Sequence, residues 1–481
     1  MNQPQASAPP KIGLHTAISV TVGSVIGSGI FMKPASMAAL LGSAPMLIAV
    51  WMAAGVLTLF GALLFAEAGA MFPKAGGFYV YLQKMFGDGM AFLFGWSAFA
   101  VINTSAVAAI AFICARYAGY FITFPQVSES LQQSVHVHIP FLGTFYLLQR
   151  LGEKMFAIVI VLLLAWVNAM SLKAGGRLQL VTAILKVSAI GLLVFGIFFS
   201  GNSSVENLLS TTPQRPMGWA ALTAGMVALT GAFMAYDGWQ CIMYMAGDVR
   251  NPQKILPKSI MLAVPSIIII YVAVNVAYAS ALPIAVMAQS SLVASDAASA
   301  MMGASAGGFI AALIVLSTFG SVNGNLMSTA RVTETMAADG LFFAAPGRLR
   351  PGSGTPANAL LWHAVWISMF ILSGSFDMLA DMFTFSTWVF IIICAIGMIR
   401  LRITMPHHPR PYKMWGYPYT LIAFLAFALY YVVNTLVYEI MAYRAGNLPI
   451  LTSLLGVALT LAGLPIYWFF NRKRSTKSKT V

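Results

Sequence analysis

The sequence predicts an all-α integral membrane protein of about twelve transmembrane helices. Three observations carry that expectation: the composition, the shape of the apolar runs, and the sidedness of the basic residues. Only 8% of the 481 residues are charged, against about 25% in soluble domains. Hydrophobic residues make up 59% and the mean hydropathy is +0.83, so too little polar surface exists to cover a water-soluble globule. A membrane helix needs about 20 apolar residues, and at roughly 40 residues per span and connection the chain has room for about twelve. Barrel strands would alternate apolar with polar, whereas these runs are continuously apolar.

The apolar runs place helices near 14–40, 46–68, 90–122, 155–172, 177–200, 218–246, 259–281, 305–337, 358–374, 378–399, 417–441 and 449–470. They group as a tail (1–13), a first block of five (14–200), a second block of five (218–399), two further helices (417–470) and a basic tail (471–481). The mixed stretch 119–153 has room for a short surface helix. The segment Phe72–Gly87 is amphipathic, aromatic and interrupted by Pro and Gly, which suits an interfacial or re-entrant segment as well as a surface loop.

Basic residues set the orientation. Of the 27 Lys and Arg, 20 fall on the side of the N-terminus, six on the other and one, Lys186, mid-span. Basic loops stay cytoplasmic, so both termini are expected inside a multi-pass protein of the cell's inner membrane. The net charge of +14 then reports topology and not a nucleic-acid partner. The first span itself directs insertion, so no cleaved leader is expected. Cys114, Cys241 and Cys394 all lie in apolar runs, which argues against a disulfide framework.

The first span contains Gly23, Ser24, Gly27, Ser28 and Gly29 within seven residues, a poor composition for a continuous helix. In lipid a break is tolerated only beside protein or a cavity. A broken helix offers N–H groups at the start of its second half, where the dipole favours an anion, and carbonyls at the end of the first, which favour a cation. A zwitterionic amino acid has one of each. Close helix packing through small residues would give the same glycines. The sixth span repeats the pattern, with Gly225, Gly231 and Gly238 and a carboxylate, Asp237, inside AYDGW. Each of these spans opens a five-helix block, and paired interruptions of that kind point to a transporter's central site.

Lys186 sits near the middle of the fifth span, where a lysine costs about 2.5–3.5 kcal/mol on insertion scales and so needs a partner or a cavity. Ser317 and Ser321 share a face of the eighth span and can accept from it; snorkelling to the inner interface is the alternative. Glu67 is expected to cap the second span, and Asp377 and Asp381 to sit at the N-terminus of the tenth. The six histidines show no metal spacing and no HExxH, and no GxxxxGK[ST] occurs. No metal, cofactor, membrane metallopeptidase or ATP-driven pump is expected.

GSVIGSGIF in the first span, FPKAGG after the second, KAGGRLQ before the fifth, AYDGW in the sixth and FGSVNG in the eighth stand in an order that resembles L-type amino acid transporters. These belong to the amino acid–polyamine–organocation (APC) superfamily, whose bacterial members include serine/threonine and alanine/serine/cysteine exchangers. The resemblance covers residues 12 to 405. It implies the LeuT-type fold, two inverted five-helix repeats plus two helices, with breaks at Gly27, Gly231 and Gly238. Ser28 and Gly29 would offer N–H groups to the substrate carboxylate. The carbonyls of Val25, Met234, Ala235 and Asp237 would receive its ammonium. Lys186, with Ser317 and Ser321, would replace a bound sodium ion. Relatives often carry an aromatic gate where this chain has Met234, leaving Phe233 or Tyr236 for that role. Asp237 either binds a cationic side chain or caps the broken helix.

The expected function is a sodium-independent L-amino-acid transporter, an exchanger of neutral amino acids working by alternating access, and not an enzyme. A proton-coupled symporter in which Lys186 gives up its proton, and a cationic or dibasic amino acid transporter, are the alternatives on the same fold. A non-transporting sensor is the remote one. The partners implied are the L-amino acid and the lipid bilayer, with no ancillary subunit and a functional monomer.

Overall fold

The computed structural model describes residues 12–74, 76–170, 172–338, 340–350 and 355–478. The expected N-terminal tail lies outside these except for Ile12 and Gly13, as do the last three residues of the basic tail. A helix lies at each of the twelve expected runs. In order they are α1 (Leu14–Val25), α2 (Gly29–Leu41), α3 (Ala44–Met71), α4 (Phe78–Phe86), α5 (Asp88–Ser97), α6 (Asn103–Ala118) and α7 (Glu129–Ser134). Then come α8 (Leu151–Met170), α9 (Leu172–Phe199), α10 (Val205–Leu208), α11 (Trp219–Tyr236), α12 (Cys241–Tyr244), α13 (Pro252–Ala281), α14 (Ile284–Gln289) and α15 (Val293–Met302). The last are α16 (Ala304–Ala338), α17 (Ala357–Ser373), α18 (Phe376–Thr404), α19 (Tyr419–Arg444), α20 (Thr452–Leu461) and α21 (Gly463–Ser478). Among the described residues, nine helices are long and apolar enough to cross a membrane, or ten with the bent pair α1–α2. Ile184–Phe199 and Ala357–Ser373 are shorter apolar helices.

Among the described residues, the chain departs from an all-α description in one sheet. The stretch 119–153 holds, besides the short α7, a two-stranded antiparallel hairpin, β1 (His136–Ile139) and β2 (Gly143–Tyr146). Its strands are four residues each; β1 is exposed throughout and the alternating burial of β2 spans only four residues, too short a run to announce a strand. The segment after α3 forms α4. Phe78 at its start stacks among Phe65, Phe94, Trp239 and Tyr244, with centroids 4.3–6.4 Å apart. That aromatic cluster seats α4 beneath the second break.

The core forms around the two interrupted helices. α2 lies against α11, α1 and α3 against α13, and α16 against α6 and α9. Helices α5 and α6 are joined by a π-helical turn at Ala98–Ile102, where Thr104 Oγ1 donates to the Phe99 carbonyl at 2.6 Å. Such one-turn bulges re-aim the residues that follow them.

Candidate functional site

Helix α1 ends at Val25 and α2 starts at Gly29, with a 45° bend between them. Ile26 already has extended backbone (ψ 96°), so Gly27 and Ser28 form the connection. The leading N–H groups of α2 have no carbonyl one turn back, and the last carbonyls of α1 have no N–H one turn ahead. The second break follows Tyr236: Asp237 is extended (ψ 152°) and Gly238 has φ +115°, a conformation that favours glycine.

The two breaks interlock. A Cβ on Gly29 would sit 2.8 Å from Ala235 Cα, and one on Gly238 would sit 2.7 Å from the Ser24 carbonyl oxygen. Tyr271, from α13, completes the joint. Its hydroxyl lies 2.8 Å from the Val25 carbonyl and 3.0 Å from the Ala235 carbonyl, one at the end of each first half-helix. Tyr271 packs with Trp51 (5.6 Å) and Tyr236 (5.0 Å). The Tyr236 hydroxyl in turn donates to the Trp51 carbonyl at 3.2 Å. The pattern of residues around the breaks gave no hint of Tyr271, which comes from another helix.

Gly231 departs from expectation. It lies inside continuous α11 and makes no break; a Cβ there would meet Lys33 Cδ and Met37 at 3.2 Å. Its missing side chain makes room for α2, which is the packing role that glycines also serve.

Beside the second break, Phe233, Tyr236, Asp237 and Trp239 line a cavity closed by α3 (Thr58, Gly61) and α18 (Thr384, Thr387). It is narrow, with room for about one water molecule. Both gate candidates line it, and Phe233 stacks on Trp388 at 4.2 Å. Met234 is buried but is not among the lining residues. Asp237 faces the cavity while Gln240 Nε2 donates to its two oxygens at 3.0 and 3.1 Å. The Gly238 N–H donates to Gln240 Oε1 at 3.1 Å, so this carboxylate and amide together cap the break.

Lys186 is buried and its Nζ donates to the Gly23 carbonyl in α1 at 3.3 Å, joining α9 to the first broken helix. The serines expected to accept from it do not. Ser321 Oγ donates to the Ser317 carbonyl at 3.1 Å, and Ser317 Oγ has no partner among the described residues. Among the acidic residues, Glu67 departs from expectation. Glu67, fully buried, caps nothing; it accepts two bonds from Arg402 Nη2 at 2.6 and 2.7 Å and one from the Met414 N–H at 2.7 Å. Asp377 lies in the first turn of α18, as expected, and pairs with Lys33; Asp381, one turn further on, pairs with the same lysine, and Ser375 caps the helix. Sequence neighbours could not show these pairs, whose members lie more than 300 positions apart.

With this geometry the class of the molecule is a polytopic helical protein whose core is a pair of facing broken helices. The amino acid permease family model matches residues 12–460, and the chain belongs to that family. It is similar to the large neutral amino acids transporter small subunit 2 of Rattus norvegicus, 30% identical over 95% of this chain and 80% of the relative. It is also similar to the serine/threonine exchanger SteT of Bacillus subtilis (28%, over 97% and 98%). The b(0,+)-type amino acid transporter 1 of Mus musculus is 28% identical, over 84% of this chain and 78% of the relative. The resemblance expected from the five motifs is borne out.

Proposed function

We propose that this chain is a sodium-independent exchanger of neutral L-amino acids that works by alternating access. The reading includes twelve spans in the inverted-repeat arrangement, both termini cytoplasmic, a functional monomer and no enzymatic step. The observation that carries it is the meeting of the two breaks. The N–H groups of Ser28 and Gly29 open α2, where the helix dipole suits a carboxylate. The carbonyls of Val25 and Ala235 end the half-helices beside them and suit an ammonium. Tyr271 has one O–H to share between those two oxygens, and each carbonyl has two lone pairs, so both can also accept from a substrate. Lys186 supplies a fixed positive charge against α1, which makes a bound sodium ion unnecessary there. Relatives named as transporters or exchangers of amino acids support the same class.

The test is uptake of labelled amino acids into sodium-free proteoliposomes, with and without unlabelled amino acid inside. Uptake only with internal amino acid is the expected outcome. Uptake into empty vesicles driven by an inward proton gradient would replace exchange with symport. Binding without uptake in either case would make the chain a sensor. Asp237→Asn addresses the side-chain question. Because Asp237 is held by Gln240 as a cap, the variant should leave the competition of neutral and basic amino acids in the same order; selective loss of basic competitors would make this carboxylate a reader of cationic side chains.

A further inference from the structure

We propose that a groove on the lipid-facing side of the protein, between α9, α15 and α16, is a binding site for one acyl chain of a phospholipid. The proposal needs only that the protein spans a bilayer, so it goes beyond the exchanger reading and does not depend on it. Gly191 and Gly196 of α9 form the floor, and Leu192, Phe195, Met302 and Phe309 stand around them. Every lining residue is apolar, and the groove has a volume of about 270 Å³. An apolar cavity of about 150 Å³ takes a benzene molecule, so this groove has room for roughly ten carbons.

The groove exists because two helices that touch along one half part along the other. In the first half of α9, Thr182 lies so close to Gly320 of α16 that a Cβ on the glycine would run into the threonine side chain. In the second half α15 packs on both helices, and a Cβ on Gly191 would meet nothing within 4 Å. A Cβ on Gly196 would lie 2.5 Å from Met302 Sδ, so this glycine lets the flexible thioether lie down over the helix. Gly191 precedes the end of α9 at Phe199 by eight residues, about 12 Å, which is within the ~15 Å of one leaflet. The groove is therefore contained in a single leaflet and runs along the spanning helices, as an acyl chain does.

Water does not suit this space, because no polar side chain lines it. Leu192, Phe195 and Phe309 are each more than half exposed and continue the apolar belt that faces the bilayer. Walls of that kind distinguish a chain lying in the groove from chains passing over a convex helix surface, since contacts form on three sides instead of one. Lys186, which holds the Gly23 carbonyl, stands five residues before Gly191 on the same helix. A chain seated between α9 and α16 therefore braces the helix that carries this lysine.

Photo-crosslinking tests this. The full chain is reconstituted in phosphatidylcholine vesicles with a small fraction of a phosphatidylcholine whose acyl chain carries a diazirine, then irradiated, digested and mapped by mass spectrometry. Adducts on the peptides around Phe195 and Phe309 should exceed several-fold those around Val433 and Val437, which are exposed on α19. Gly191→Phe, which has open space for its Cβ and fills the groove with a ring, should reduce the groove adducts to the α19 level. Phe195→Ala with Phe309→Ala removes two lipid-facing walls and no core, and should do the same. Val433→Phe, on the open face, should leave the groove adducts at the parent level. Adducts spread evenly over both faces, or groove adducts that survive either groove variant, would overturn the proposal. So would rapid disulfide formation between two copies of a Phe195→Cys variant at a low protein-to-lipid ratio, which would give the groove to a second copy of the chain. The readout needs no substrate, so it stands whether uptake supports exchange or rejects it.

Discussion

Tyr271 joins two carbonyls with one hydroxyl, and both belong to the ends of broken helices. Removing that hydroxyl would take away the one O–H within reach of both buried carbonyls, at a cost of about 1–3 kcal/mol. Tyr271→Phe should therefore lower the melting temperature modestly in detergent and reduce uptake much more, because the breaks lose their alignment. Equal uptake with a lowered melting temperature would make Tyr271 a packing residue alone. Lys186 predicts the opposite pairing. A lysine at mid-span costs about 2.5–3.5 kcal/mol on insertion scales, so Lys186→Met should leave folding intact or improved while uptake is lost. Thermal unfolding and uptake measured on the same preparation decide it, and a joint collapse would give the lysine a structural role only.

At the scale of the element, the breaks were legible in the sequence because their cause is local. Gly27 and Gly238 stand where the backbone leaves helical geometry, and glycine clusters in an apolar run are costly enough to need a reason. Gly231 shows the limit of that reading, since its reason is Lys33 and Met37 on α2, about 200 positions away. Lys186 was legible as a mid-span charge, but its partner was not: the carbonyl of Gly23 has no side-chain signature. The Lys33 and Glu67 pairs were hidden likewise, because each acid had a plausible role on its own helix. The two kinds of glycine behave differently on substitution. Gly238→Ala would force a Cβ to 2.7 Å from the Ser24 oxygen at φ +115°, a strain of about 1–3 kcal/mol, and should abolish uptake. Gly225→Ala in the same helix would meet the flexible end of Met46 at 3.3 Å and Val50 at an ordinary 3.9 Å, and gains up to about 1 kcal/mol of helix propensity. It should be silent in uptake and neutral or stabilising in a melt; an equal loss in both variants would mean that α11 as a whole, and not its break, is sensitive.

At the scale of the molecule, the β-hairpin acts as a clasp between distant helices. The Thr144 N–H donates to the Pro449 carbonyl and the Leu451 N–H to the Leu142 carbonyl, both at 2.8 Å, so the hairpin holds the connection from α19 to α20. Lys154 at the start of α8 fastens the hairpin's far side. Its buried Nζ donates to the carbonyls of Tyr146, Leu147 and Leu372 at 3.1, 3.2 and 2.7 Å, drawing in the end of α17. One ammonium thus satisfies three backbone groups from two segments. None of these residues lines the cavity or touches either break. A substitution here should therefore act on stability and leave substrate handling alone. Lys154→Met would leave three partly buried carbonyls short of a donor, and at up to about 1–3 kcal/mol for unsatisfied buried groups the melting temperature should fall. The KM for uptake should stay at the parent value in the protein that remains folded. A raised KM at unchanged melting temperature would show instead that the clasp shapes the path by which substrate reaches the breaks.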